Sequence, residues 1–336
     1  MLWVVTGASG HIGANLVRLL LRRGESVRAV VHRNTAALEG LALEQVVGNV
    51  GDLESLEASF RGADVVVNLA ARISIAKHAE HLVDPVNVTG TRNVVEACRR
   101  TDVRRLVHFS SIHAMVEPPL GGSTDEDGPL VSGDGVAAYD RSKAQGELIV
   151  REAVRAGLDA VVLSPTAVVG PCDFGPSYFG KVLLRMARRR MSVLVRGGFD
   201  WVDVRDVAEA AVHAAMTREV SRKYVLSGHW HSVMEVSWMA SRLTGIPSAS
   251  FAAPLPLARL CGSLAEGFCN LTGREALFTA CAIDALAQHP LVSHEKAALE
   301  LGYSPRPFQE TLADTYDWFE ENGYLTAGRN EVRPSN

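Results

Sequence analysis

A tyrosine and a lysine lie four positions apart in the segment AAYDRSKAQGE, residues 137–147. Its amphipathic pattern predicts a helix, so Tyr139 and Lys143 are expected on one helix face. A phenol with an ordinary pKa near ~10 is a poor acid or base at neutral pH. A neighbouring ammonium would stabilise the phenolate and lower that pKa. The pair is therefore predicted to exchange a proton with an alcohol or carbonyl oxygen, the alternative being two ordinary surface side chains.

Two serines follow an apolar strand pattern in the segment RLVHFSSIHA, residues 105–114. Ligands of open α/β sheets bind at the carboxyl ends of the strands, so a hydroxyl at this point could hold a substrate oxygen. Because side chains alternate along a strand, Ser110 and Ser111 are expected to point to opposite faces.

A glycine-rich loop, TGASGHIG at residues 6–13, connects a predicted strand to a predicted helix. In such a loop Gly7 permits the tight turn, Gly10 lets the backbone approach a pyrophosphate, and Gly13 lets helix and strand pack closely. The helix N-terminus adds free N–H groups and the positive end of a dipole. The loop therefore predicts a dinucleotide site, the alternative being a structural turn.

The end of the second predicted strand, VVHRN at residues 30–34, indicates which dinucleotide binds. An acidic residue there would accept hydrogen bonds from a ribose 2′-OH and repel a 2′-phosphate, and the segment has none. Arg33 offers a guanidinium to a phosphate and His32 could add a donor. This favours NADP(H) over NAD(H), although Arg33 could simply be a solvated strand end. Asp52 could accept a hydrogen bond from the adenine amino group, or it could cap the helix that follows.

The elements that position these residues alternate between short apolar runs and helical patterns. LWVVT (2–6), SVRAVVH (26–32), EQVVG (44–48), DVVVNLA (64–70), RLVHFSS (105–111) and DAVVLSP (159–165) read as strands. Apolar strands separated by helices predict a parallel sheet covered on both faces. The predicted fold class is thus α/β, a doubly wound Rossmann fold with a smaller, mostly helical C-terminal substrate lobe. We expect an NADP-binding domain over residues 1–168 to which 201–217 return, a lobe over 169–325, and a flexible tail over 326–336.

The composition excludes several classes of protein. The 336 residues include 47% hydrophobic and 21% charged residues, as is ordinary for a globular protein, and the net charge of -4 argues against a nucleic-acid partner. The basic run RMARRR, residues 185–190, is interpreted as a solvated helix face. No apolar run reaches the ~18 residues that a transmembrane helix needs.

The start MLWVVTGASG shows no signal peptide, and the five cysteines, without a C-x-x-C pair, favour reduced thiols over a disulfide framework or a metal site. A cytoplasmic location is therefore expected.

These motifs together resemble the extended short-chain dehydrogenases/reductases, the family of nucleotide-sugar epimerases, dihydroflavonol reductases and 3β-hydroxysteroid dehydrogenases. The resemblance rests on TGASGHIG, GDL (51–53), NLAA (68–71), NVTGTRNVVEAC (87–98), FSS (109–111), the pair Tyr139–Lys143, SPTAVVGP (164–171), WVDVRDVAEA (201–210) and the closing GYSPRPFQETLADTYDWFEENG.

The resemblance implies roles for several residues. Tyr139 would be the catalytic acid/base, Lys143 would hold the nicotinamide ribose and lower the phenol's pKa, and Ser111 would orient the substrate oxygen while Ser110 faces elsewhere. The expected cofactor contacts are Thr6, Gly7, Ser9, Gly10, His11, Ile12, Gly13, His32, Arg33, Asp52, Leu53, Leu69, Ala70, Ala71, Tyr139, Lys143 and Pro165. A homodimer through the helices containing residues 87–100 and 139–156 is a further expectation.

The resemblance is strongest to the dihydroflavonol-reductase-like branch. Nucleotide-sugar members usually carry an arginine at the position of Phe199, where it clamps a diphosphate. An apolar pocket is expected from the segment 251–287 together with Phe174, Tyr178 and Phe179, although these aromatics could instead be lobe core. His113 could look into the same cleft or be a satisfied loop residue.

We therefore predict an NADP(H)-dependent oxidoreductase acting on a carbonyl or secondary alcohol of a largely apolar small molecule. The alternatives are a nucleotide-sugar epimerase or dehydratase and a non-catalytic NADP(H)-sensing protein.

Overall fold

The computed structural model describes residues 1–325 except 33–34, 75–77, 120, 134, 192, 218–220, 250, 261, 263–278 and 289. Its strands are, in chain order, β1 (Leu2–Thr6), β2 (Ser26–Val31), β3 (Glu44–Val47), β4 (Val65–Asn68), β5 (Arg105–Phe109), β6 (Ala160–Pro165), β7 (Ala167–Val169), β8 (Leu194–Val195), β9 (Gly198–Asp203), β10 (Lys223–Leu226), β11 (His229–Ser232) and β12 (Ala252–Ala253).

The α-helices with defined bounds are α1 (His11–Arg22), α2 (Leu53–Phe60), α3 (Glu80–Asp84), α4 (Gly90–Arg100), α5 (Ala138–Arg155), α6 (Tyr178–Ala187), α7 (Val204–Met216), α8 (Val233–Thr244), α9 (Ala280–Asp284), α10 (Glu295–Leu301) and α11 (Phe308–Glu321). Residues 255–260 are also helical. Shorter 3-10 turns span Ala36–Leu38, Ile112–Ala114 and Ala285–Ala287, and a π-helical turn spans Pro85–Thr89.

A seven-stranded sheet in the order β3-β2-β1-β4-β5-β6-β10 forms the centre of the molecule, and all its described strand pairs are parallel. This is the doubly wound order, in which the chain winds outward from β1 in both directions. The predicted Rossmann fold is confirmed.

Both faces of the sheet are buried, which explains why its strands read as apolar runs. In β4 each residue is buried, and Val65 and Val67 contribute to one core cluster while Val66 contributes to the other. Helices α1, α7 and α10 supply the first cluster, whereas α2, α4 and α5 supply the second. The two helical layers hold the carboxyl ends of the strands at one edge, where a site can form.

A second, smaller part contains the sheet β11-β9-β7 and the pair β8-β12. Its core combines the apolar faces of α6, α8 and α11 with the aromatic residues of β9. Helix α7 packs on the central sheet, and β10 and α10, from the range assigned to the lobe, also join the main core. The division near residue 168 stays a prediction, and the tail 326–336 lies outside the described residues.

Within the described part of the chain, we find no helix with the length and apolarity needed to cross a membrane.

Candidate active site

A cavity of about 1040 Å³ lies at the carboxyl-terminal edge of the central sheet, between that edge and the smaller part. Segments that follow β1, β4, β5 and β6 line one side, and residues of α6, β9 and α9 line the other. Its volume is at the upper end of the range for small-ligand sites, and its position is where open α/β sheets bind ligands.

The glycine loop forms one end of this cavity, and the surrounding backbone leaves no room for a Cβ on Gly7 or Gly13. A Cβ on Gly13 would lie 2.3 Å from the Gly7 carbonyl oxygen, and one on Gly7, whose φ is 66°, would lie 2.7 Å from the Leu69 carbonyl carbon. Helix α1 begins directly afterwards, with Gly10 as its N-cap and no acidic residue in its first turn. Its N–H groups and positive dipole end are thus available to an anion, so the residues present fit a dinucleotide pyrophosphate.

Buried hydrogen bonds fix this loop to the neighbouring strands. The Thr6 hydroxyl donates to Asn68 Oδ1 at 2.7 Å and accepts from the Ala70 N–H at 3.3 Å. Asn68 Nδ2 lies 3.1 Å from His108 Nδ1 in β5. Thr6 and Ala70 therefore stabilise the conformation of the loop. Asn68 and His108, which complete this network, were not predicted from the sequence.

The predicted cofactor contacts divide into two groups. Those that line the cavity are Gly7, Gly10, His11, Ile12, Gly13, Leu69, Ala71, Tyr139, Lys143 and Pro165. Those that are described but lie outside its lining are Thr6, Ser9, His32, Asp52, Leu53 and Ala70. Arg33 lies outside the described residues.

Two of these side chains have other partners. His11 Nε2 lies 3.0 Å from the Gly170 carbonyl oxygen and 3.1 Å from that of Pro171, so this ring ties α1 to the segment after β7. Asp52 caps α2, because its Oδ1 accepts from the N–H groups of Glu54 at 3.1 Å and Ser55 at 3.4 Å. The capping alternative for Asp52 is therefore present, and its contact with adenine stays a prediction.

The predicted serine, tyrosine and lysine meet on one wall of the cavity. Ser111 follows β5, whereas Tyr139 and Lys143 lie in the first turns of α5 and face the same way. The Tyr139 phenol lies near enough to Ser111 for that hydroxyl to act on its pKa. Lys143 Nζ donates to the Phe109 carbonyl oxygen at 2.5 Å, and its side chain is buried. Three groups able to hold an oxygen and move a proton are thus fixed between α5 and the end of β5.

The proton affinities of these groups follow from burial. Burial raises the pKa of Tyr139 to about 12, although the neighbouring Ser111 hydroxyl acts in the opposite direction. Burial also lowers the pKa of Lys143 to about 8, against the opposing charge of Glu147. Both shifts have the same cause, because burial disfavours the phenolate and the ammonium alike. That Lys143 lowers the pKa of the phenol stays a prediction.

A buried ion pair behind the lysine was missed by the sequence analysis. Glu147, one turn beyond Lys143 in α5, is fully buried and lies 2.9 Å from Lys223 Nζ and 2.6 Å from the Arg151 guanidinium. Burial raises the pKa of Glu147, but Lys223, the nearby Ser110 hydroxyl and Arg151 together lower it below its usual range. Ser110 is thus near Glu147 while Ser111 is near Tyr139, as alternation along the strand predicts.

On the opposite side the cavity lining is mostly apolar and aromatic. His113, Tyr178 and Phe199 line it, as do Phe179 and residues of α9. The Phe179 ring packs edge-on against Phe199 with centroids 5.0 Å apart, so these side chains hold one another in place.

Phe174 does not line the cavity, contrary to expectation. Its ring packs edge-on against Trp318 at 5.1 Å, and the Arg18 guanidinium lies 4.8 Å from its centroid. The ring is only partly buried and packs on α11, and it does not belong to the buried core cluster of the smaller part. Of the apolar segment 251–287, residues 261 and 263–278 lie outside the described residues.

The sequence of this chain is similar to those of several known proteins. The sequence profile of the NAD dependent epimerase/dehydratase family matches residues 3–227. Sterol demethylase protein B of Methylococcus capsulatus is 36% identical over 334 residues, which cover 97% of this chain and 100% of that protein. A putative dihydroflavonol 4-reductase of Synechocystis is 31% identical over 329 residues, which cover 96% and 95% of the two chains.

Among solved structures, the crystal structure of gox2253 superposes with a TM-score of 0.84 at 27% identity, covering 97% of this chain and 99% of that one. The chain belongs to the NAD dependent epimerase/dehydratase family, the extended short-chain dehydrogenases/reductases. The predicted family is confirmed, and the protein is an enzyme of that family.

Proposed function

We propose that the protein is an NADP(H)-dependent oxidoreductase that interconverts a carbonyl group and a secondary alcohol on a largely apolar small molecule. The observation that carries this proposal is the placement of Ser111, Tyr139 and Lys143 on one cavity wall, beside the glycine loop and across from an apolar wall. A substrate in the cavity would have its oxygen near the two hydroxyls and its carbon skeleton against the aromatic side.

The chain's own residues supply the proton chemistry. When bound, the nicotinamide accepts or supplies a hydride, and its oxidised ring adds positive charge beside the phenol. The Ser111 hydroxyl holds the substrate oxygen by a hydrogen bond. In reduction Tyr139 donates its proton to that oxygen as negative charge develops on it, and in oxidation the phenolate removes the proton from the alcohol.

Lys143 supports both directions of this proton transfer. Its ammonium is fixed by the Phe109 carbonyl at 2.5 Å, so it can hold the nicotinamide ribose and offset charge that develops on the phenolate. Because burial lowers the pKa of Lys143 to about 8, the ammonium is retained at neutral pH but begins to be lost just above it.

The preference for NADP(H) rests on the end of β2. Residues 30–34 contain no acid to accept a ribose 2′-OH, and they include His32 and Arg33. A fluorescence titration of the protein with NADPH and with NADH tests this preference. We expect tighter binding of NADPH and a loss of about tenfold for NADPH alone in Arg33→Ala. Arg61→Ala, an exposed arginine elsewhere, is the matched control. Comparable affinities of the unaltered protein for both coenzymes would overturn the NADP(H) assignment.

The apolar substrate class is supported by Phe199, which stands where an arginine would clamp a sugar diphosphate. The names of two relatives, a sterol demethylase protein and a putative dihydroflavonol 4-reductase, refer to multi-ring compounds. Turnover should be measured by NADPH absorbance with sterol ketones, flavonoid ketones and 2-alkyl-3-oxo acids, and with UDP-glucose as the nucleotide-sugar control. Conversion of UDP-glucose without net coenzyme change would favour the epimerase alternative. Tight NADPH binding with no turnover across the panel would favour the sensing alternative.

A further inference from the structure

Most of the arginines in the basic run RMARRR are exposed, as expected of a solvated face, and three of the run's arginines also line a second cleft. This cleft has a volume of about 520 Å³ and lies against the side of α6. Its lining consists of Gly175, Pro176, Lys181, Leu184, Arg185, Arg188, Arg190 and Tyr324. Gly175 also lines the proposed active-site cavity, so the two spaces are neighbours.

All the charged side chains among the described residues that line the cleft are positive. Lys181, Arg185 and Arg188 follow one another at spacings of four and three, so they share one face of α6 and its end. No acidic residue is among the described residues that line the cleft, and no ion pair in the described part of the chain involves any of its four cations. Elsewhere in the protein many arginines have a carboxylate partner, for example Arg205 and Arg306.

Two of the lining arginines, Arg188 and Arg190, lie at the turn that closes α6. Arg190 N–H donates to the Arg185 carbonyl oxygen at 2.9 Å and Arg189 N–H to that of Met186 at 3.1 Å, which is the pattern of a Schellman turn. Arg189 has a φ of 54°, the left-handed conformation in which glycine is favoured. This hydrogen-bonded turn fixes the backbone from which Arg188 and Arg190 extend.

Three contacts of Tyr324 fix one wall of the cleft. The Tyr324 hydroxyl donates to the Phe174 carbonyl oxygen at 2.5 Å, and the Tyr324 carbonyl oxygen accepts from Arg188 at 2.5 Å. The Tyr324 ring stacks on Trp318 with centroids 5.3 Å apart. These contacts join the loop before α6, the end of α6 and the segment after α11.

We propose that this cleft binds the phosphate groups of a phosphorylated ligand. The guanidinium group of an arginine can donate two parallel hydrogen bonds to two oxygens of one phosphate. Four cations also carry more positive charge than a single carboxylate ligand would balance. The volume suits a small phosphate ester, whose organic part would lie on Pro176, Leu184 and Tyr324. The site differs from the glycine loop, because no residue of that loop is among the described residues that line this cleft, and it does not depend on the proposed oxidoreductase activity.

The first test is a calorimetric titration with inorganic pyrophosphate, in excess NADPH so that the glycine loop is occupied. We expect saturable binding that weakens as salt is added. Binding should weaken about tenfold or more in the triple variant Arg185→Gln, Arg188→Gln, Arg190→Gln. The matched control removes the same charge from exposed arginines without a described ion pair, Arg61→Gln, Arg99→Gln and Arg242→Gln, and should bind within about twofold of the unaltered protein.

A second arm distinguishes a soluble phosphate ester from a lipid headgroup. Sedimentation with phosphatidylcholine vesicles that contain phosphatidic acid would show whether a phosphate in a bilayer is also bound. Binding of either probe that is lost in the triple variant supports the proposal and identifies the source of the phosphate. Absence of binding to both, or equal binding by the triple variant, would overturn it.

If the triple variant does not fold, Lys181 provides a test in the unaltered protein. It is exposed and lines the cleft, so an acetylating reagent should modify it and pyrophosphate should slow that modification. Mass spectrometry of the peptide that contains Lys181 measures the rate. An unchanged rate at saturating pyrophosphate would contradict a phosphate in this cleft.

Discussion

Lys143 should lower the stability of the folded protein at neutral pH, and Lys143→Met should remove that penalty. The side chain is 6% exposed, and burial lowers its pKa from about 10.5 to about 8. Between these two values the unfolded chain binds more protons than the folded protein. Stability therefore rises with pH across this window, and the penalty is fully present below pH 8.

The two pKa values give the size of the effect. Between pH 7 and pH 10 the free energy of unfolding should rise by about 2.5 kcal/mol from this lysine alone. Methionine has a similar length and does not titrate, so Lys143→Met lacks this rise. Its lost hydrogen bond to Phe109 changes the free energy of unfolding equally at both pH values.

Urea unfolding followed by tryptophan fluorescence measures the effect in both proteins at pH 7 and pH 10. Other groups that titrate in this range are common to both proteins and cancel in the difference. Lys181→Met is the control, because an exposed amine is solvated in the folded and the unfolded chain alike. The reasoning would be refuted if the free energies of unfolding of Lys143→Met and the unaltered protein differed by the same amount at both pH values.

Two further predictions concern the loop and the ion pair behind the lysine. In Gly13→Ala the new Cβ would lie 2.3 Å from the Gly7 carbonyl oxygen, so coenzyme affinity measured by fluorescence should fall at least about tenfold. Glu147→Gln leaves the buried Lys223 charge without its carboxylate and should lower the free energy of unfolding by about 3–5 kcal/mol. Adding Lys223→Met removes the unpaired charge and should recover much of the lost stability. A double variant as unstable as Glu147→Gln alone would show that the unpaired Lys223 charge does not cause the loss.

The sequence was enough to predict the central sheet and the loop, because both depend on local patterns. The buried strands β1, β4 and β5 are apolar on both faces, which short runs of sequence reveal directly. The positive φ of Gly7 and the approach of Gly13 to the Gly7 carbonyl oxygen both arise within the loop itself. Tyr139 and Lys143 were recognisable because one helical turn separates them.

Other features depend on contacts between distant segments and were not predictable in this way. Phe174 packs on Trp318, far along the chain, so its aromatic character alone could not show that it lies outside the cavity. The raised pKa of Tyr139 comes from burial, which only the tertiary structure sets. Glu147 and Lys223 look like ordinary surface charges until α5 and β10 are brought together.

The most direct test of the central claim is the turnover of Tyr139→Phe with a confirmed substrate. This change removes the phenolic hydroxyl and little else, so coenzyme affinity should stay within about twofold while kcat/KM falls by about 10²–10⁴. A variant that binds coenzyme normally and retains turnover within about threefold of the unaltered enzyme would contradict proton transfer by this residue.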